Sequence, residues 1–115
     1  MEIENLLKNL VEHFNAKISI GKDRNFVLAK VDKSSYVNVA EFLFKEGFRR
    51  LLTVSAIDWL SRNVIEIYFI TYNHVMNVYV KVSTEISRDS PEIPSLSSIW
   101  ENAAMHEREV WEQRF

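Results

Sequence analysis

The chain has 115 residues, 47% hydrophobic and 26% charged, with two glycines, two prolines and no cysteine. That is enough chain for one hydrophobic core and too little for two, and its composition is globular rather than disordered or low in complexity. The missing cysteine removes disulfides, thiolate nucleophiles, cysteine-held iron–sulfur clusters and cysteine zinc sites together, and a net charge of −2 supplies no global positive field for nucleic acid or anionic lipid. Ile3, Leu6, Leu7, Leu10, Val11 and Phe14 recur at helical spacing with Glu4, Lys8 and Glu12 outside the stripe, which predicts a helix over Glu2–Phe14. Lys17–Ile20 and Phe26–Val31 are short β-rich runs separated by the polar segment Gly21-Lys22-Asp23-Arg24-Asn25, the pattern of a hairpin. Ser34 or Ser35 can cap a second helix, in which Val39, Ala40, Leu43 and Phe44 repeat until Gly47, a residue that enters the left-handed conformation cheaply.

From Leu51 the period changes to that of strands. Leu51–Ile57, Val64–Tyr72 and Asn77–Ser83 are rich in Val, Ile, Tyr and Thr, and they form a meander through Asp58–Asn63 and a turn at Asn73-His74. Arg88–Ser95 holds both prolines and reads as an irregular crossover. Ser98-x-x-Glu101 fits a capping box, which predicts a closing helix from Ile99 to Arg114. The whole chain, residues 1–115, is expected to be one α+β domain in the order α-β-β-α-β-β-β-α, with a mainly antiparallel sheet and the helices packed on one side. No apolar run approaches the roughly 20 residues that cross a bilayer, and no secretory leader is recognisable, so a cytoplasmic location is expected.

Few residues suggest chemistry. His106-Glu107 begins like the zinc-protease helix, but Val110 stands where the second histidine is needed, and His13 and His74 belong to other elements. With only Gly21 and Gly47 there is no glycine-rich phosphate loop, and no G-x-S-x-G turn occurs. Carboxylate pairs such as Glu107 with Glu109, or Asp89 with Glu92, are common in an acid-rich chain and read first as solvated surface. Lys45, Arg49 and Arg50 flank Phe48 at the end of the second helix, where positive charge suits the helix dipole and could also touch RNA. The final helix is the unusual segment, because Glu107, Arg108, Glu109, Glu112 and Arg114 are interleaved with Val110 and Trp111. It reads equally as a cover for the sheet, with Arg108 and Glu112 as an intrahelical pair, and as a partner-docking edge.

Ile93-Pro94-Ser95-Leu96-Ser97-Ser98-Ile99-Trp100 followed by Ala103-Ala104-Met105-His106-Glu107-Arg108-Glu109-Val110-Trp111 resembles the signature of the complex I 30 kDa (C) subunit family. Gly47-Phe48 with Leu51-Leu52, the run Val54-Ser55-Ala56-Ile57-Asp58 and the strand Glu66-Ile67-Tyr68-Phe69-Ile70 also look like the family pattern, in the same order. Ala104-Met105 replaces the family's Asn-Trp, and Glu112-Gln113-Arg114-Phe115 replaces its usual continuation, which makes the wrapping contacts of longer members unexpected here. These departures resemble a short branch, the small D subunit of energy-converting nickel–iron hydrogenase.

The resemblance implies a non-catalytic scaffold in the peripheral arm of a membrane-bound respiratory oxidoreductase, either such a hydrogenase or an NADH:quinone oxidoreductase. It implies as partners a large hydrogenase-like, quinone-site subunit and a small iron–sulfur subunit, with no cofactor, metal or catalytic residue in this chain and no activity from the chain alone. It further implies that the chain stays peripheral to the cytoplasmic membrane without inserting into it, and binds no nucleic acid. Glu107, Arg108, Glu109 and Trp111 are the expected subunit interface. Two rivals set different requirements. A small RNA-binding or regulatory α+β domain needs stacking aromatics such as Tyr68 or Tyr79 on an exposed sheet with a basic rim, and an independent enzyme needs a deep cleft around Glu107 or Asp58.

Overall fold

The computed structural model describes residues 2–23 and 25–114, with side chains described through position 110. Three helices, α1 (Ile3–Phe14), α2 (Tyr36–Lys45) and α3 (Ala103–Arg114), accompany five strands, β1 (Lys17–Ile20), β2 (Phe26–Lys30), β3 (Arg50–Trp59), β4 (Val64–Asn73) and β5 (Val78–Ser87). The element order is the one expected, with short 3-10 turns added at Lys33–Ser35 and Leu60–Arg62.

The strands form a single sheet in the order β1-β2-β5-β4-β3. Three of its four pairings are antiparallel, and β2 runs parallel to β5, with Phe26 opposite Tyr79 and Lys30 opposite Ser83. The parallel pair arises because the β3–β4–β5 meander, reached from β2 through α2, folds back so that its last strand seals the hairpin. The sheet is therefore mixed, though mainly antiparallel as expected.

Strict alternation along β4 and β5 buries Ile65, Ile67, Phe69, Thr71 and Asn73 with Val78, Val80, Val82, Thr84 and Ile86. This inner face carries the core. Leu6 and Leu10 of α1, Val39, Ala40 and Leu43 of α2, and Ala103 and Val110 of α3 join the same buried cluster, so the helices lie on one side of the sheet. The stripe on α1 is narrower than its spacing suggests, since Val11 is 47% exposed.

Two glycine-like positions end the first two helices. Asn15 takes φ 53° after α1 and its N–H returns to the Val11 carbonyl at 3.1 Å. Gly47 takes φ 104° after α2, while the Phe48 N–H reaches the Leu43 carbonyl at 2.9 Å, the wider-spanning of the two bonds of a Schellman closure.

Both expected serine caps are corrected. Ser35 precedes α2 with φ −98° and ψ −7°, inside the preceding 3-10 turn, and makes no capping bond. A cap needs extended backbone to aim its hydroxyl at the next amides, and the turn takes that geometry away. At the other end, α3 starts at Ala103 rather than near Ser98, so the Ser98–Glu101 box has no helix start to serve. Leu96–Trp100 instead close a separate turn, with the Trp100 N–H on the Leu96 carbonyl at 3.0 Å. The Trp100 indole donates to the Phe48 carbonyl at 3.2 Å and the Asn102 amide to the Leu51 carbonyl at 3.0 Å. These bonds pin the segment to the start of β3 and delay the helix. Strand β5 runs on to Ser87, beyond its expected end at Ser83, because Thr84 and Ile86 continue the inward alternation.

Candidate functional site

Glu107 has an internal role. One carboxylate oxygen accepts the Ser95 hydroxyl at 2.7 Å and the other the Leu96 N–H at 2.9 Å, so this side chain straps the 95–97 segment to α3. Its negative charge also adds to the effect of burial on Tyr36, whose phenol is pushed well above its ordinary pKa chiefly by desolvation. Arg108 and Glu109 are exposed and take part in no ion pair among the described residues. Met105 lies one turn earlier at 60% exposure. Helical spacing puts Met105, Arg108 and Glu109 on one outward stripe, opposite buried Ala103 and Val110. The side chains of Trp111 and Glu112, and so the Arg108–Glu112 pair, lie outside the described residues.

The basic cluster after α2 divides. Arg49 stacks on Phe44 with 4.2 Å to the ring centroid, whereas Phe48 is fully buried and its carbonyl anchors Trp100. Asp58 is held by Arg88 in a two-point contact at 2.7 and 3.1 Å on the surface. Clefts of about 580 and 590 Å³ lie beside the start of α1 and beside Arg49 and Arg50, and neither contains Glu107 or Asp58. Among the described residues no three His, Asp or Glu side chains converge as metal ligands would, and no helix is long and apolar enough to cross a membrane.

Among the described residues the outer face of the sheet carries no helix. Phe26, Tyr79 and Tyr72 form an aromatic row across β2, β5 and β4, with centroids 6.0 and 4.4 Å apart. Beside it Lys81 lies 4.3 Å from the centroid of Tyr68. Further along, Lys30 and Arg62 both bind Glu85, at 3.0 and 2.8 Å, and hold its carboxyl below the usual range. Tyr68 and Tyr79 thus do share an open sheet face, but two cations of its rim are already occupied by Glu85.

Asn73 was expected only as part of a turn, and Glu85 was not singled out at all. Asn73 is buried, accepts the Val75 and Met76 amides at 3.0 and 3.1 Å, and donates to the Glu46 carbonyl at 3.1 Å, joining the β4–β5 turn to the end of α2. Its place just before a turn fits an Asx turn, although nothing local announces the link to α2. Glu85 was missed because its two partners stand on other strands and turns.

Residues 29–113 match the family described as "Respiratory-chain NADH dehydrogenase, 30 Kd subunit". The chain belongs to that family. Every block that suggested the 30 kDa subunit family, from Gly47-Phe48 to Glu107-Arg108-Glu109, falls inside the matched span. Among relatives, the C subunit of the F(420)H(2) dehydrogenase of Methanosarcina mazei is 37% identical over 89 residues, covering 75% of this chain and 55% of the relative. The C subunit of the NADH-quinone oxidoreductase of Moorella thermoacetica is 30% identical over 78 residues, covering 64% and 50%. The chain spans about half the length of these curated relatives. A trypsin-resistant fragment of Nqo5 shares the fold with TM-score 0.86 at 15% identity, over 99% of this chain and 92% of that one. A chain of the archaeal membrane-bound sulfane sulfur reductase shares it with TM-score 0.83 at 22% identity, over 93% and 64%. The relatives are thus subunits of respiratory oxidoreductases, and the solved neighbours share the α+β fold.

Proposed function

We propose that this chain is a non-catalytic docking subunit in the peripheral arm of a membrane-bound respiratory oxidoreductase, of the NADH:quinone or energy-converting hydrogenase kind. In this role it holds a large quinone-site or hydrogenase-like subunit and a small iron–sulfur subunit in fixed geometry, while electrons pass between cofactors that those subunits carry. A chain without cysteine supplies no cluster ligand of the usual kind, which suits a scaffold. Family membership carries the reading, and the outward stripe of α3 supports it. Arg108 and Glu109 point charge into solvent with no partner among the described residues, and such charges do little for the isolated fold. Across an interface a guanidinium forms directional, paired bonds to a carboxylate. Glu107, Arg108, Glu109 and Trp111 together form the proposed contact, with Glu107 acting by fixing the helix against the 95–97 segment.

Two substitutions separate docking from folding. Arg108→Ala should change stability by under about 0.5 kcal/mol, as exposed sites do, yet reduce co-purification with the large and small subunits. Glu107→Ala should cost about 1–3 kcal/mol, because the Leu96 amide and Ser95 hydroxyl lose their acceptor. Melting temperatures and subunit recovery, measured on both variants, decide the matter. Full recovery of the complex with Arg108→Ala would remove Arg108 from the interface.

A further inference from the structure

The outer sheet face is a half-buried surface that no element among the described residues covers. Its charges are unevenly matched. Glu85 takes both Lys30 and Arg62, and Glu66 accepts the Trp59 indole N–H at 3.1 Å. Lys81, at the middle of the sheet on β5, has no carboxylate partner among the described residues and rests on the Tyr68 ring. A hollow of about 170 Å³ opens beside it, lined by Lys17, Ser19, Lys30, Glu66, Lys81 and Ser83. The Ser19 and Ser83 hydroxyls and the ammoniums of Lys17 and Lys81, neither of them ion-paired among the described residues, form a set of donors for a carboxylate, and they outnumber the one acid on its wall, Glu66, which accepts the Trp59 indole N–H. The neighbouring Phe26–Tyr79–Tyr72 row offers flat aromatic area of the kind that anchors interfaces at little entropic cost.

We infer that this face docks a segment of a partner subunit that inserts an Asp or Glu side chain beside Lys81 and lays apolar residues over Tyr72 and Tyr79. The inference rests on the scaffold reading and extends it to a second surface, distinct from α3. A second copy of this chain fits poorly, because face-to-face pairing about the centre would oppose one Lys81 to another. Single-stranded nucleic acid also fits poorly, since it needs a cationic track along successive phosphates, and Lys30 and Arg62 are committed to Glu85.

The test uses the complex isolated from its source cells through a tag on this chain. A carbodiimide reagent, which joins amines to carboxylates in direct contact, should link Lys81 to an Asp or Glu of a partner subunit, and acetylation of Lys81 by an N-hydroxysuccinimide ester should be lost on assembly. Lys81→Glu should weaken association by about 30-fold or more, as expected for reversing one partner of a desolvated charge pair. Lys81→Arg should keep association and lose the cross-link. Equal acetylation of the free and assembled chain overturns the inference, as does a link to a second copy of this chain or protection that ribonuclease abolishes. A chain that enters no assembly overturns the scaffold reading along with it, whereas an assembled chain with Lys81 still open overturns this inference alone.

Discussion

Gly47 was legible in the sequence because a glycine after an apolar helical repeat has one usual purpose, and its φ of 104° fulfils it. What the sequence could not disclose is the neighbour. A Cβ at this position would lie 3.0 Å from the Asn73 amide nitrogen, which is itself held by the Glu46 carbonyl at 3.1 Å. Gly47→Ala therefore meets both backbone strain and a fixed side chain, and should cost about 1–3 kcal/mol, read as a fall in chemical-denaturation midpoint. Tyr36 presents the opposite case. Its hydroxyl is buried with no hydrogen-bond partner among the described residues, and burial, then the Glu107 charge, raises its pKa. The folded protein keeps that proton where the unfolded chain gives it up. Stability from this group is full below the ordinary tyrosine pKa of about 10 and declines as pH rises above it. Tyr36→Phe should gain up to about 1 kcal/mol at neutral pH and flatten the alkaline decline, seen in urea titrations between about pH 8 and 11. An unchanged alkaline slope would mean that other groups cause the decline.

Helices and strands were visible wherever burial imposes a period, and misplaced where contacts from far along the chain decide. The alternation of β4 and β5 follows directly from one covered face, whereas the late start of α3 depends on Trp100 and Asn102 reaching backbone carbonyls about fifty positions earlier. The serine before α2, by contrast, lost its cap to a local competitor, the 3-10 turn over Lys33–Ser35. The cluster at Glu85 is again a long-range event, tying the end of β2 and the β3–β4 turn to β5. Hydrogen bonds from Lys30, then Arg62, hold its carboxyl below the usual range. A depressed carboxyl stabilises the fold above its ordinary pKa of about 4.3, and that stability disappears as pH falls through the lower folded value. With partially exposed partners the contribution should stay under about 1 kcal/mol. Thermal melts of Glu85→Gln should therefore lie slightly below those of the native sequence at pH 7 and converge with them in acid, and a gap that persists to the lowest pH would point to packing instead.

For the molecule as a whole, the α+β class, the element order and the single covered face were readable from periodicity and turn chemistry. The β2–β5 parallel pairing was not, because no local pattern states which strand closes a mixed sheet. The docking assignment has the same character. Arg108 and Glu109 could be singled out by family resemblance, and the internal use of Glu107 emerged only when Ser95 and Leu96 were found against it. A fold of this size with two open surfaces, the α3 stripe and the outer sheet face, is suited to lying between larger neighbours. The most direct test of that role is the mass and composition of the particle that carries this chain, measured by native electrophoresis and mass spectrometry on detergent-released membranes. The account predicts that the chain is recovered with the membranes, in one particle many times its own mass that also contains an iron–sulfur subunit. Recovery of the chain entirely as a lone monomer in the membrane-free fraction would contradict it.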